Sequence, residues 1–144
     1  MSRLKWKHSL FIFLSFYYLL SWNKNKYFAE DILSEESINY IANNLTEKVE
    51  KLNLGYQRFV KDEHVMKLIH CCKRLTELGL NGTSISNDSL TCIIENLKHT
   101  LVILSLCNTD LSFDELLELK AMSKLKILNC SHLLFLPMDN LKQQ

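Results

Sequence analysis

The sequence predicts an α/β chain wound as a solenoid, with a short parallel sheet on the concave side and helices on the convex side. Three observations lead there. A six-residue phrase with apolar residues at its first, fourth and sixth positions starts at Val49, Leu75, Leu101 and Leu125, at spacings of 26, 26 and 24 residues. A second phrase, "LSEESI" (33–38), "VKDEHV" (60–65), "ISNDSL" (85–90) and "LSFDEL" (111–116), recurs between them. Each begins apolar and then offers the short polar and acidic residues that start helices. Finally, three Gly and one Pro in 144 residues leave few chain breakers, which suits a regular array.

The first phrase reads as strand. Its apolar sets are Val49/Leu52/Leu54, Leu75/Leu78/Leu80, Leu101/Leu104/Leu106 and Leu125/Leu128/Cys130, so strands are expected over 49–54, 75–80, 101–106 and 125–130. They should pair parallel and in chain order, because each unit has an apolar face that only its neighbours can bury. After each strand comes a turn, and the residues three positions beyond two of the last strand leucines are Thr83 and Thr109. A hydroxyl there can satisfy loop backbone groups.

The second phrase reads as a helix start. Val65, Leu68, Ile69 and Cys72 follow at helical spacing, then Leu90, Ile93, Ile94 and Leu97, then Leu116, Leu119 and Met122. Helices are therefore expected at about 62–72, 88–98 and 113–122. Ile38, Ile41 and Leu45 repeat the pattern upstream without a clear strand before them.

Residues 1–22 stand apart from the domain over 23–144 and its four or so units. A basic start, "MSRLKWKH", precedes the apolar run 9–22. No small-x-small cleavage site follows, and the run falls short of the ~20 residues that span a bilayer. An uncleaved anchor, a cap on the array and an artefact of the gene model all fit.

Composition narrows the function. Lys plus Arg total 17 against 16 for Asp plus Glu, a formal net charge of +1, so no nucleic-acid partner is expected. Five cysteines, an odd number without a C-x-x-C pair, read as buried thiols in a reducing compartment. Sequons at Asn44, Asn81, Asn87 and Asn129 point the other way. At Asn81 and Asn129 a glycan would obstruct packing.

Candidate chemistry is thin. His64, His70, Cys71 and Cys72 form the densest set of metal-type ligands, but all lie on one expected helix. Zinc sites draw ligands from two converging segments, so surface imidazoles and a core thiol are the expectation. Cys107 would need a partner histidine; His99 is expected at a helix end on the other side of its unit, whereas His132, one unit along, is a conceivable partner. No enzyme activity, metal or cofactor is expected.

Binding is the stronger prospect. The outward strand positions fall into columns: Lys51, Glu77, Ile103 and Ile127; Asn53, Gly79, Ser105 and Asn129; Gly55, Asn81, Cys107 and Ser131. The last two are small and polar, a flat floor for another protein. Ile103 and Ile127 form an exposed apolar pair in this reading, an anchor for a partner.

The pattern L-x-x-L-x-L at this period resembles the cysteine-containing subtype of leucine-rich repeat, as found in F-box/leucine-rich-repeat substrate receptors. It is also similar to the repeats of the Zyg-11/Zer receptors of cullin-2 ligases. The resemblance covers about residues 31–136, with Thr83 and Thr109 where that subtype carries Cys. It implies a non-catalytic, cytoplasmic protein-binding module: the substrate-recognition part, or a relative, of a cullin-RING ubiquitin-ligase receptor in proteasomal degradation. Its partner would be a ubiquitination substrate or a ligase subunit. No F-box is seen, because "LFIFLSFYYLLSW" lacks the Leu-Pro start and charged middle of one. Two alternatives stay open: a membrane-anchored or secreted leucine-rich-repeat recognition protein, and a truncated remnant without a specific partner.

Overall fold

A computed structural model describes residues 33–130 and the backbone of a strand at 133–137. The apolar run 9–22, His132 and Ser131 lie outside the described residues. Helix α1 (Glu35–Asn44) comes first, followed by β1 (Lys51–Asn53), α2 (Asp62–Cys71), β2 (Glu77–Gly79) and α3 (Asn87–Leu97). Then come β3 (Ile103–Leu106), α4 (Phe113–Leu117) running into a 3-10 turn (Glu118–Ala121), β4 (Ile127–Cys130) and β5 (Leu133–Pro137).

Strands β1 to β4 form a parallel sheet in chain order, so the chain is α/β as expected. The register follows the sequence spacing: Leu52 pairs with Leu78, Leu78 with Leu104, and Leu104 with Leu128. The ladders are three or four residues long instead of six, because the first apolar residue of each phrase turns inward before pairing begins. Leu75, Leu101 and Leu125 are buried at those positions. Main-chain pairing nevertheless runs past the strand ends. Thr76 and Glu77 both donate to Glu50 O, Val102 and Ile103 both donate to Thr76 O, and Gly82 N–H donates to Cys107 O.

The antiparallel strand β5 was not expected. It joins β4 through a two-residue connection, with Cys130 opposite Leu133 and Ile127 opposite Pro137. Pro137 is tolerated because the strand stands at the sheet edge, where a missing N–H costs no ladder bond.

All four helix-start phrases begin helices. Ser34 accepts from Ser37 N–H, and Ser86 from Asp88 N–H. Ser112 and Glu115 form a reciprocal capping box: Ser112 Oγ accepts from Glu115 N–H, and the Glu115 carboxylate accepts from Ser112 N–H at 2.6 Å. Helix α2 solves the same problem differently. Lys61 cannot cap, and the His64 ring accepts the Lys61 N–H at Nδ1, 3.1 Å away. The third inter-strand spacing is two residues shorter, and its helix is the one that tightens into a 3-10 turn after Leu117.

Asp62 ties two units together. Its carboxylate accepts from Ser86 N–H at 2.9 Å, Ser86 Oγ at 2.8 Å, Ser89 N–H at 3.3 Å and Ser89 Oγ, so the first residue of α2 caps α3. Burial pushes its pKa up, but these hydrogen bonds outweigh that and hold it below 3.8. Because the folded pKa is depressed, the stabilisation is present above the unfolded value and fades as pH falls through the folded one. Asp62→Ala should cost about 1–2 kcal/mol at neutral pH. Urea unfolding at neutral and strongly acidic pH checks this, since the gap between variant and parent should close in acid.

Behind the sheet, Leu52, Leu78, Leu104 and Leu128 join one core with Ile38, Val65, Leu68, Leu90, Ile93, Leu116 and Leu119. Thr83 and Thr109 close the turns, donating to Leu80 O at 2.6 Å and Leu106 O at 2.8 Å. Gln57 takes the equivalent place in the first unit. It is buried, and its Oε1 accepts the Leu33 N–H at 3.0 Å.

Candidate protein-binding face

Successive strand residues point to opposite faces. With Leu52, Leu78, Leu104 and Leu128 in the core, their neighbours must face the other way. The register aligns them in two rows, Lys51–Glu77–Ile103–Ile127 and Asn53–Gly79–Ser105–Asn129. Two of the three columns read from the sequence are thus brought together, while Ser131 of the third lies outside the described residues. Asn81 stands just beyond β2, where its Oδ1 accepts the Cys107 N–H at 2.7 Å.

The rows differ in accessibility from the expectation. Ile103 and Ile127 are half-buried, not an exposed pair. The polar row is not an open floor, because its side chains close on one another. Asn129 Nδ2 donates to Ser105 Oγ at 2.9 Å; Ser105 is fully buried and Asn129 is 9% exposed. Asn129 Oδ1 has no hydrogen-bond partner among the described residues. At the other end Asn53 Oδ1 accepts the Gly55 N–H at 2.9 Å and overlies Gly79. A Cβ at Gly79 would stand 2.7 Å from that oxygen, which is why the row needs glycine there.

The first row keeps more open chemistry. Lys51 Nζ and Glu77 Oε1 are 2.6 Å apart across β1 and β2, with the lysine side chain half exposed. An ion pair so placed contributes little to stability. It does present a paired charge beside an apolar step at Ile103 and Ile127. The face therefore runs from charged to apolar across four strands.

A third row escaped the sequence reading. Tyr56, Gly82 and Asn108, again 26 residues apart, all have left-handed backbone, with φ of 61°, 62° and 55°. The Tyr56 ring lies across Gly82 and its hydroxyl accepts from Asn108 Nδ2 at 3.3 Å. Gly and Asn tolerate this conformation, and tyrosine is an outlier in it. The available signal was the Gly82/Asn108 pair in register, since the tyrosine itself hid the pattern.

The nucleophile and metal candidates are drawn into other tasks. His64 is buried, not a surface imidazole, because it bonds back to its own helix start and reaches Asn39 Oδ1 through Nε2 at 3.2 Å. His70 Nδ1 lies 2.6 Å from Met66 O, and Cys72 Sγ donates to Thr46 O. Cys71 is exposed, contrary to the expectation of buried thiols; Cys72, Cys92 and Cys130 are buried and Cys107 is half-buried. Burial pushes the Cys107 thiol up and Cys72 to about 11, so neither is poised as a thiolate. His99 bonds Ser123 Oγ at 3.1 Å.

Among the described residues no helix is long and apolar enough to cross a membrane. No protein-family model matches the chain, and no curated protein matches it.

Proposed function

We propose that the chain is a leucine-rich-repeat solenoid acting as a non-catalytic protein-binding module, with the sheet face around Lys51, Glu77, Ile103 and Ile127 as its recognition surface. The observation that carries this reading is the in-register row itself. These four side chains come from adjacent parallel strands at the ~4.8 Å strand spacing, so one partner segment can touch them together. A row of mixed charged and apolar surface on adjacent strands is suited to recognising a protein segment. The recurrence of core leucines, turn threonines and left-handed turns at 24–26 residues supports the solenoid. Similarity of the repeat pattern to that of cullin-RING substrate receptors supports a role as the recognition part, or a relative, of such a ligase.

Ile103→Asp puts a charge at the centre of the row without removing a core leucine. The variant is expected to lose the parent's specific partners in affinity-capture mass spectrometry, with the circular dichroism spectrum kept. Helix-side controls at Lys98 and Glu118, both exposed, should retain them. An unchanged partner set for Ile103→Asp moves recognition off this face. Recovery of ligase subunits or ubiquitination substrates among the lost partners tests the ligase assignment separately.

A further inference from the structure

We infer that acid releases the first helix from the second through His64, a protonation latch between α1 and α2. The ring is fully buried. Its Nδ1 accepts the Lys61 N–H, which places the ring proton on Nε2, and Nε2–H then donates to Asn39 Oδ1 on α1. One neutral tautomer thus caps the start of α2 and holds α1 against it.

A proton from solvent has one place to go, Nδ1. There it turns the acceptor into a donor facing another donor, the Lys61 N–H, and the capping bond breaks. The cation, buried and without an acceptor at Nδ1, is satisfied by swinging towards water, which gives up the Asn39 bond too. The surrounding charges do not hold it in place. On α2, Glu63 lies 3.8 Å from Nε2 and favours the cation, but its side chain is 63% exposed and well solvated. Lys61 and Lys67 on the same side oppose the cation, and Glu35 on α1 favours it. Burial dominates and lowers the His64 pKa from 6.5. A depressed histidine pKa means the unfolded chain binds the proton more readily, so the latch holds above that range and weakens as pH falls below it.

What the latch covers is apolar. Ile38, Ile41 and Ala42 of α1 are buried, and release of α1 bares them. The device therefore couples a modest acidification to exposure of a hydrophobic helix face.

Amide hydrogen exchange on the full chain tests it, with rates corrected for the intrinsic effect of pH. Between about pH 7 and about pH 5, α1 amides should lose protection by about three- to thirty-fold, while α3 amides keep theirs. His64→Gln retains a side-chain acceptor for the Lys61 N–H but does not titrate, so its α1 protection should not change. Constant α1 protection in the parent overturns the proposal, as does an equal loss in His64→Gln. Should that variant fail to fold, ring 15N shifts of the parent decide. The expected result is the Nε2–H tautomer with a midpoint below 6.5; the other tautomer, or a midpoint at or above 6.5, overturns the latch.

Discussion

Leu104→Ala should destabilise the chain by about 2–5 kcal/mol. Leu104 is fully buried at the centre of the sheet, paired with Leu78 on one side and Leu128 on the other. Truncation removes apolar surface and leaves a hole that its neighbours cannot fill, since each is fixed by its own register. Domains of this size have about 5–15 kcal/mol in total, so the loss is a large part of the whole. Urea unfolding should show the midpoint falling by about 1–3 M with little change in slope. A loss below about 1 kcal/mol would mean that Leu104 does not occupy the inward strand position.

The second large effect is expected at Gly82. Its φ of +62° disfavours any side chain, and a Cβ would stand 2.5 Å from Tyr56 Cδ1. The backbone penalty for alanine is about 1–2 kcal/mol. Displacing the ring adds about 1–3 kcal/mol more and costs the Tyr56–Asn108 hydrogen bond. Gly82→Ala should therefore lose about 2–5 kcal/mol in total. A cycle with Tyr56→Ala separates the parts: the clash disappears in the double variant, and the backbone penalty stays. Strict additivity of the two changes would show that the ring does not lie over Gly82.

Much of this fold was legible because the same physical demand recurs every 24–26 residues. Leu52, Leu78, Leu104 and Leu128 meet one another only if the strands stack in chain order, and the apolar phrases announce that. The helix starts were legible for the same reason: a free N–H at a helix end needs a short acceptor, and Ser34, Ser86 and Ser112 supply it. Strand β5 was not, since "LLFLP" lacks the apolar phrase that marks the other strands and pairs with β4 antiparallel. Burial on the outward face was also out of reach. Alternation identifies Ser105 and Asn129 as outward, but not that one carboxamide would fold over a neighbouring hydroxyl. Nor does a sequence show which histidine turns inward; His64 is buried because Lys61 cannot cap its own helix.

The carboxylate of Asp62 makes two helices answer for each other. It starts α2, yet the groups it satisfies are those of α3, held 24 residues further on through Ser86. If α2 melts, α3 loses acceptors for its first turn; if α3 melts, α2 keeps the cap that His64 supplies, but its Asp62 carboxylate loses its hydrogen bonds to Ser86 and Ser89. The coupling is the same in both directions, because the same bonds are lost whichever helix opens first. Damage near Asp62 and damage near Ser89 should therefore each loosen the start of the neighbouring helix, so that the two helices open as one cooperative unit.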